Sequence, residues 1–249
     1  MTSRRLILNW RHEPSGAIMP VAELLSARPP EEPRFEFGYI EGVRRALAVG
    51  FQPFLAFPHL HRRYTGSQLF PFFRNRVLPT TRPDYVDYVE ALGLRVETAD
   101  VIDLLGRSEG HRRTDRIETV LVPDRDQQTG RYVTCFLLRG VRHVVDAETV
   151  IARMCIGSEL QAVLERENPR NPRARQLRFD GDIIGYVADY LLADLDALDA
   201  AGAMPRFIVE RLNPLPHPAH HRVLVRVEAA WPTGFVPFGD PVFRAYQGD

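Results

Sequence analysis

The sequence predicts an α+β protein in two parts: an N-terminal mixed strand and helix domain over residues 1–112, and a small β-barrel with one main helix over residues 113–249. Three observations carry that prediction. Apolar residues make up 45% of the 249 positions and charged residues 26%, enough to pack one large or two small cores. Ahead of residue 107, short extended-looking segments give way to helical spacing, whereas beyond residue 116 short strand-like segments dominate. Between these regions, Arg107-Ser-Glu-Gly-His-Arg-Arg-Thr-Asp-Arg116 is polar, charged and without apolar periodicity, the composition of an exposed connector.

Leu6–Trp10 reads as a strand, and Ala27-Arg-Pro-Pro-Glu-Glu-Pro33 as a loop on its prolines. In Arg34–Ile40, Phe35, Phe37 and Tyr39 alternate with Glu36 and Gly38, the period-2 pattern of a half-buried strand. Leu69, Phe72, Phe73 and Val77 sit at helical spacing within Gln68–Leu78. Pro83 suits the first turn of a further helix, lined by Tyr85, Val86, Tyr88, Val89 and Leu92 and stopped by Gly93. Thr98 is placed to cap a short helix that carries Val101, Ile102, Leu104 and Leu105 and ends at Gly106. Past the connector, Ile117–Val122 and Tyr132–Arg139 flank the polar link Asp124–Gly130 and read as a hairpin. Gln176–Phe179 and Ile183–Val187 flank Asp180-Gly-Asp182, a hairpin signal through Asp-Gly. Asp189–Leu198 reads as a helix, and Phe207–Leu212 and Arg222–Glu228 as strands. Several short strands around one helix suggest a closed or nearly closed barrel.

Composition limits function. The 32 basic and 32 acidic side chains cancel, so nucleic acid or acidic membrane cannot be held by overall charge and would need a local patch. All 32 basic residues are arginine. Every basic contact is therefore a planar fork suited to phosphates, carboxylates and base edges, and no lysine can serve as Schiff base or phosphate-loop cation. No apolar run approaches the length of a membrane span, and the apolar stretch at the start is too short for a signal peptide. Cys135 and Cys155 do not make a disulfide framework and fit a reducing cytoplasm. The sequence lacks a phosphate-loop signature, a nucleophile elbow, a Cys-x-x-Cys pair and a His-Glu-x-x-His pair. No cofactor, metal or catalytic residue is assigned.

His59-Leu-His61 places two imidazoles on one face of a strand, and His217, His220 and His221 crowd a proline-rich loop; both groups read as surface histidines rather than metal ligands. Asp180 and Asp182 fall in a turn, and Asp194, Asp196 and Asp199 on the solvated face of a helix. The strongest patch is Arg166–Arg178, with five arginines in 13 residues. Its two Asn-Pro steps force an extended, turning backbone that displays the arginines, either as a phosphate-binding surface or as an ordinary solvated loop.

Phe136-Leu-Leu-Arg-Gly-Val-Arg-His143, Gly157-Ser-Glu-Leu through Asn168, Asn171-Pro172, Gln176-Leu-Arg-Phe179 and Ile184-Gly-Tyr-Val187 follow one another in the order found in the HIRAN domain. Over roughly residues 130 to 200 the chain resembles that family. The resemblance implies an OB-like β-barrel, without an attached helicase motor, that binds single-stranded DNA at a free 3′ end. Carried over residue by residue, it implies contacts from Arg142 to phosphate or base, a binding loop shaped by Asn171 and Pro172, and a stacking or backbone contact from Tyr186. His143 stands where the family has an aromatic residue. The family's Tyr-Asp after Asn-Pro becomes Arg173-Ala174 here, which removes the acidic group that reads the terminal hydroxyl and, with Arg175, shifts the balance toward phosphates. Phe35–Tyr39, Gly50-Phe-Gln-Pro-Phe54 and Leu69–Pro79 resemble, more faintly, the N-terminal subdomain of HipA-type kinases; no kinase core follows, so no phosphotransfer is implied.

The expected function is non-catalytic binding of single-stranded DNA or DNA ends through Arg142, His143, Asn171, Arg173, Arg175 and Tyr186. The alternative is a protein-interaction adaptor that docks a partner through its N-terminal domain, with a barrel that has lost DNA-end binding. A metal-assisted hydrolase is the third reading.

Overall fold

The computed structural model describes residues 3–27, 34–110 and 115–248. It is α+β, with two antiparallel sheets and short helices. Contacts divide the chain into one unit of Met1–Val89, Leu94–Val122 and Phe238–Asp249, and another of Glu90–Gly93 and Pro123–Pro237. The loop expected at 27–33 and the connector at 107–116, with its boundary after residue 112, fall in part on 28–33 and 111–114, outside the described residues. Among the described residues no helix is long and apolar enough to cross a membrane.

The first unit holds β1 (Arg4–Arg11), β2 (Ile18–Ser26), β3 (Phe35–Tyr39), β4 (Tyr64–Gly66) and β5 (Ile117–Leu121), ordered β4-β3-β2-β1-β5. Its core is aromatic. Phe37 stacks on Phe57 at 3.8 Å, and Tyr39, Phe51 and Phe73 are buried around them. Each such ring contributes roughly 1.5–3 kcal/mol by leaving water. The Tyr39 hydroxyl donates to the Phe57 carbonyl and accepts from the Phe54 amide, both at 2.8 Å, which fixes the turn between them. His59 and His61 lie in the turns after it, not on a strand, and His61 faces Tyr246 at 5.1 Å.

The first unit's helices are α1 (Val43–Leu47), α2 (Pro71–Arg74) and α4 (Val101–Ser108), while α3 (Tyr85–Ala91) begins after Pro83. Helical spacing over 68–78 yields only the single turn of α2, opened by Pro71 and ended at Asn75; its apolar residues reach the core from a turn rather than a helix face. Asp100, not Thr98, caps α4: its Oδ1 accepts from the amides of Ile102 and Asp103 while Asp103 Oδ2 accepts from the Asp100 amide. The helix continues through Gly106 to Ser108. β5 pairs with β1, Leu8 opposite Thr119, so the hairpin expected between 117–122 and 132–139 does not form. Alternation shows that a segment is a strand but does not name its partner. After Ala229 the chain returns to the first unit, where Ala245 bridges Ile40 and the Arg244 carbonyl accepts from the Glu41 amide at 2.8 Å.

The second unit holds β6 (Tyr132–Leu137), α5 (Ala147–Arg153), β7 (Glu159–Leu164), β8 (Arg175–Phe179), β9 (Asp182–Tyr186), α6 (Leu192–Ala200), β10 (Arg206–Leu212) and β11 (Val223–Ala229). Its strands run in the order β6-β11-β10-β7-β8-β9. β7 turns the corner, giving Glu159 and Leu160 to β10 and Gln161–Leu164 to β8. The β8–β9 hairpin forms as expected, with Asp180 at φ 49° and Gly181 at φ 88°. Phe136, Leu177, Ile184, Phe207, Val223, Val225 and Val227 bury inward against Leu192, Leu195 and Leu198 of α6.

Two expectations change. No closed barrel is found among the described residues: the outer strands β6 and β9 meet at a single pair, Arg139 with Tyr186. Gly140, at φ 74°, turns one chain away after that pair, and Val187-Ala188 leads the other into a 3-10 turn at Asp189–Leu191. Asp194 is not on a solvated face. It is 4% exposed, and the Tyr132 hydroxyl reaches its Oδ2 at 3.5 Å. Burial, then the Asp194 charge, pushes the Tyr132 phenol well above its ordinary range.

Candidate functional site

One end of the second sheet collects most of the expected site. Arg139 N donates to Tyr186 O at 3.0 Å and Tyr186 N to Arg139 O at 2.8 Å, while Leu138 N donates to Val223 O at 2.9 Å. The ends of β6 and β9 and the start of β11 therefore share this edge. The close approach explains two glycines. A Cβ at Gly185 would lie 2.5 Å from the Arg139 carbonyl oxygen, and one at Gly140 would lie 3.0 Å from Tyr186 Cδ2. Gly140 opens the 3-10 turn Val141–His143, which buries Val141 and exposes Arg142 and His143. Arg142 makes no ion pair among the described residues; its Nε donates to His143 Nε2 at 2.9 Å.

Tyr186 is half-buried, with Glu165 and Gln176 close to its phenol. Burial, followed by the Glu165 charge, raises its pKa and keeps it a hydrogen-bond donor. Glu165 N donates to Ala174 O at 2.8 Å, extending the β7–β8 ladder, so Glu165 stands directly across from Ala174. Its Oε2 accepts from Asn168 Nδ2 at 2.7 Å.

The Asn-Pro loop is built by its own side chains. Asn168 Oδ1 accepts from the amides of Arg170 and Asn171 at 3.0 and 3.1 Å, and Asn171 Oδ1 accepts from the Arg173 amide at 3.0 Å. Asn171 thus shapes the loop with its oxygen. Arg173 and Arg175 point elsewhere. Arg173 Nε bonds Asp196 Oδ2 at 2.7 Å, while Arg175 bonds Asp196 Oδ1 at 2.5 Å and Asp199 Oδ2 at 2.7 Å. Arg175 is 9% exposed. The helical pair at 196 and 199 is one turn of α6, so both carboxylates meet the arginines of β8 and the loop before it. Of the remaining arginines in the patch, Arg178 bonds Gln176 Oε1 at 2.9 Å, and Arg166 and Arg170 are exposed.

The end of the sheet therefore brings together Arg142, His143 and Tyr186, with the Asn171 loop joined to Tyr186 through Asn168 and Glu165. Sequence reasoning passed over Glu165. It lies just ahead of the arginine-rich run 166–178, and nothing in the sequence set it apart from Glu167 within that run; the ladder that faces it toward Ala174 is a tertiary fact. Asp180, Asp182 and the histidine pairs do not converge: Asp182 pairs with Arg153, and among the described residues no group of three or more His, Cys, Asp or Glu is placed to hold a metal ion.

No family model matches the chain, and no curated protein matches it. Two solved structures are similar. A structural-genomics protein from Lactobacillus plantarum is 17% identical, covering 39% of this chain and 89% of its own, with a TM-score of 0.33. The HIRAN domain of human HLTF is 13% identical, covering 40% of this chain and 74% of its own, with a TM-score of 0.30. Superpositions this loose assign neither a family nor a function.

Proposed function

We propose that the second part of the chain, the HIRAN-like domain expected over 113–249, binds the end of a single-stranded polynucleotide without catalysing a reaction on it. The observation that carries this reading is the Arg139–Tyr186 pair, which seats the Tyr186 ring beside Gly140 and the exposed Arg142-His143 turn. A guanidinium for phosphate, an imidazole and phenol for stacking, and a polar loop then share one rim. Glu165 supplies the end preference. A carboxylate accepts from a terminal sugar hydroxyl and repels a terminal phosphate, and it stands across from the position where the family resemblance expects an acidic group. In this reading Arg142, His143, Asn171 and Tyr186 touch the strand, whereas Arg173 and Arg175 are held by Asp196 and Asp199 in a structural cluster. The location proposed is the cytoplasm, which the thiol state of Cys135 and Cys155 fits.

The test is a binding comparison of single strands ending in 3′-hydroxyl or 3′-phosphate, and of duplex, at two salt concentrations. Salt-sensitive binding that favours the hydroxyl end, with the preference lost in Glu165→Gln, is expected. No binding by the parent protein at low salt refutes the reading.

A second reading, docking of a protein partner by the first unit, is favoured by one observation. A shallow cavity of about 580 Å³ is lined by Trp10, Phe51, Phe54 and Phe72, and Leu55 on its rim is fully exposed.

A further inference from the structure

The outward face of the β7–β8–β9 ladder carries an arginine that the rim does not use. Leu160, Leu177 and Ile184 of these strands bury in the core, so the alternate positions face away from it. The register sets those positions in rows: Glu165 across from Ala174, Val163 across from Gln176 and Tyr186, and Gln161 across from Arg178 and Ile183. Rows on one face lie about 7 Å apart along a strand. Gln176 is 7% exposed, whereas Tyr186 and Arg178 beside it are half-buried and Gln161 is exposed.

Arg178 differs from the arginines that precede it. Arg173 and Arg175 are held by Asp196 and Asp199, whereas Arg178 makes no ion pair among the described residues. Its Nε and Nη2 both donate to Gln176 Oε1, at 3.3 and 2.9 Å, which bends the guanidinium back toward the Tyr186 row and leaves further N–H donors for an anion. The carboxylates around it are accounted for. Asp182, across from Phe179, pairs with Arg153; Asp180 is exposed in the turn; Glu165, one row beyond Gln176, accepts from Asn168. After burial, which raises the Tyr186 pKa most, Glu165 raises it further and Arg178 lowers it, so both charges lie near one phenol.

A carboxylate and a guanidinium thus flank one aromatic ring about one row, some 7 Å, apart, close to the reach of a single nucleotide from its 3′ hydroxyl to its 5′ phosphate. We propose that Arg178 forms a second phosphate site on this outward face, taking the last phosphodiester of the strand while Glu165 takes the terminal hydroxyl and Tyr186 lies against the nucleotide between them. This rests on the strand-end reading of the rim, and it leaves Arg142 for a contact further from the end. The planar fork suits phosphate oxygens. The neutral Gln176 amide orients it without cancelling its charge, so no ion pair has to break when the phosphate arrives.

The experiment titrates the full chain, at low salt, against oligothymidylate that ends in a 3′ hydroxyl and whose last phosphodiester is either native or replaced by an uncharged methylphosphonate. The expected result for the parent protein is a loss of about tenfold on neutralising that linkage. Arg178→Gln, which keeps a donating amide but carries no charge, binds the native strand about tenfold more weakly and no longer distinguishes the two linkages. Arg178→Lys restores part of the difference. If Arg178→Gln unfolds by circular dichroism, Arg178→Met decides by the same comparison. A folded uncharged variant that separates the two linkages as the parent does, or a parent indifferent to the last linkage, overturns the Arg178 site. Strand-end binding then stands on its hydroxyl preference, which Glu165→Gln removes and the Arg178 variants keep. Absence of binding by the parent at low salt overturns both.

Discussion

Neutralising Asp196 and Asp199 frees the exposed guanidinium of Arg173, in the loop beside the proposed binding region, and the size of the effect follows from the contacts. In the native chain these carboxylates hold Arg173 and Arg175 at 2.5–2.7 Å. A single-strand phosphate contact adds about 0.7 to the salt slope, so a salt increase from about 50 to about 200 mM costs roughly 2.6-fold in affinity per contact. Asp196→Asn/Asp199→Asn, by freeing the exposed Arg173 for phosphate while Arg175 stays buried, should steepen the loss over that interval by roughly 2.6-fold. It also leaves Arg175 without compensation. Its side chain is 11% exposed but the carboxylates are 40% and 47% exposed, so water screens much of the interaction. The stability loss should be about 1–2 kcal/mol, below the cost of breaking a fully buried pair. Fluorescence anisotropy against salt reads the first quantity and urea unfolding the second. The same logic requires Arg142→Ala to flatten the native slope by about one contact and Arg173→Ala to leave it nearly unchanged. A native slope that falls as much for Arg173→Ala as for Arg142→Ala would refute the division of these arginines into a binding residue and a structural one.

Two further outcomes follow from backbone and burial. Gly185→Ala drives a Cβ to 2.5 Å from the Arg139 carbonyl oxygen, whereas Gly140→Ala meets only the edge of Tyr186, at 3.0 Å, but carries a φ of 74°. The first should cost about 3 kcal/mol or more and the second about 1–2 kcal/mol by urea unfolding; equal, small losses would contradict the close approach of β6 and β9. Alkaline pH should destabilise the fold, because burial pushes the phenols of Tyr39 and Tyr132 above their ordinary value. Their contribution is complete below the unfolded phenol pKa of about 10 and falls above it, by up to about 1.4 kcal/mol per pH unit per phenol, as only the unfolded chain ionises. Urea midpoints between about pH 9 and about pH 11 test this, and Tyr39→Phe should make the decline shallower; a midpoint that stays level across the interval would contradict it.

Much of the local architecture was legible before any coordinates. The alternation of Phe35, Phe37 and Tyr39, the Asp180-Gly181 turn and the valines of β11 have local causes, in side-chain period or in backbone freedom at positive φ, and these segments form as read. The partners of strands were not legible. β5 looked like half of a hairpin and instead completes the first sheet, because pairing depends on which apolar edge lies near in space.

The candidate site divides along the same line. Sequence by itself determined that every cation is an arginine, that Arg142, Asn171 and Tyr186 sit in short polar or glycine-flanked segments, and that an arginine-rich loop precedes β8. Only the tertiary structure decided which arginines are held by carboxylates. Asp196 and Asp199 lie more than 20 residues from Arg173 and Arg175 along the chain yet within hydrogen-bonding distance of them. The same holds for Glu165, which faces Ala174 across a ladder, and for the histidine loop brought beside Arg142. Charge is fixed by composition, but its availability depends on distances between residues remote in sequence, and those distances are set by packing.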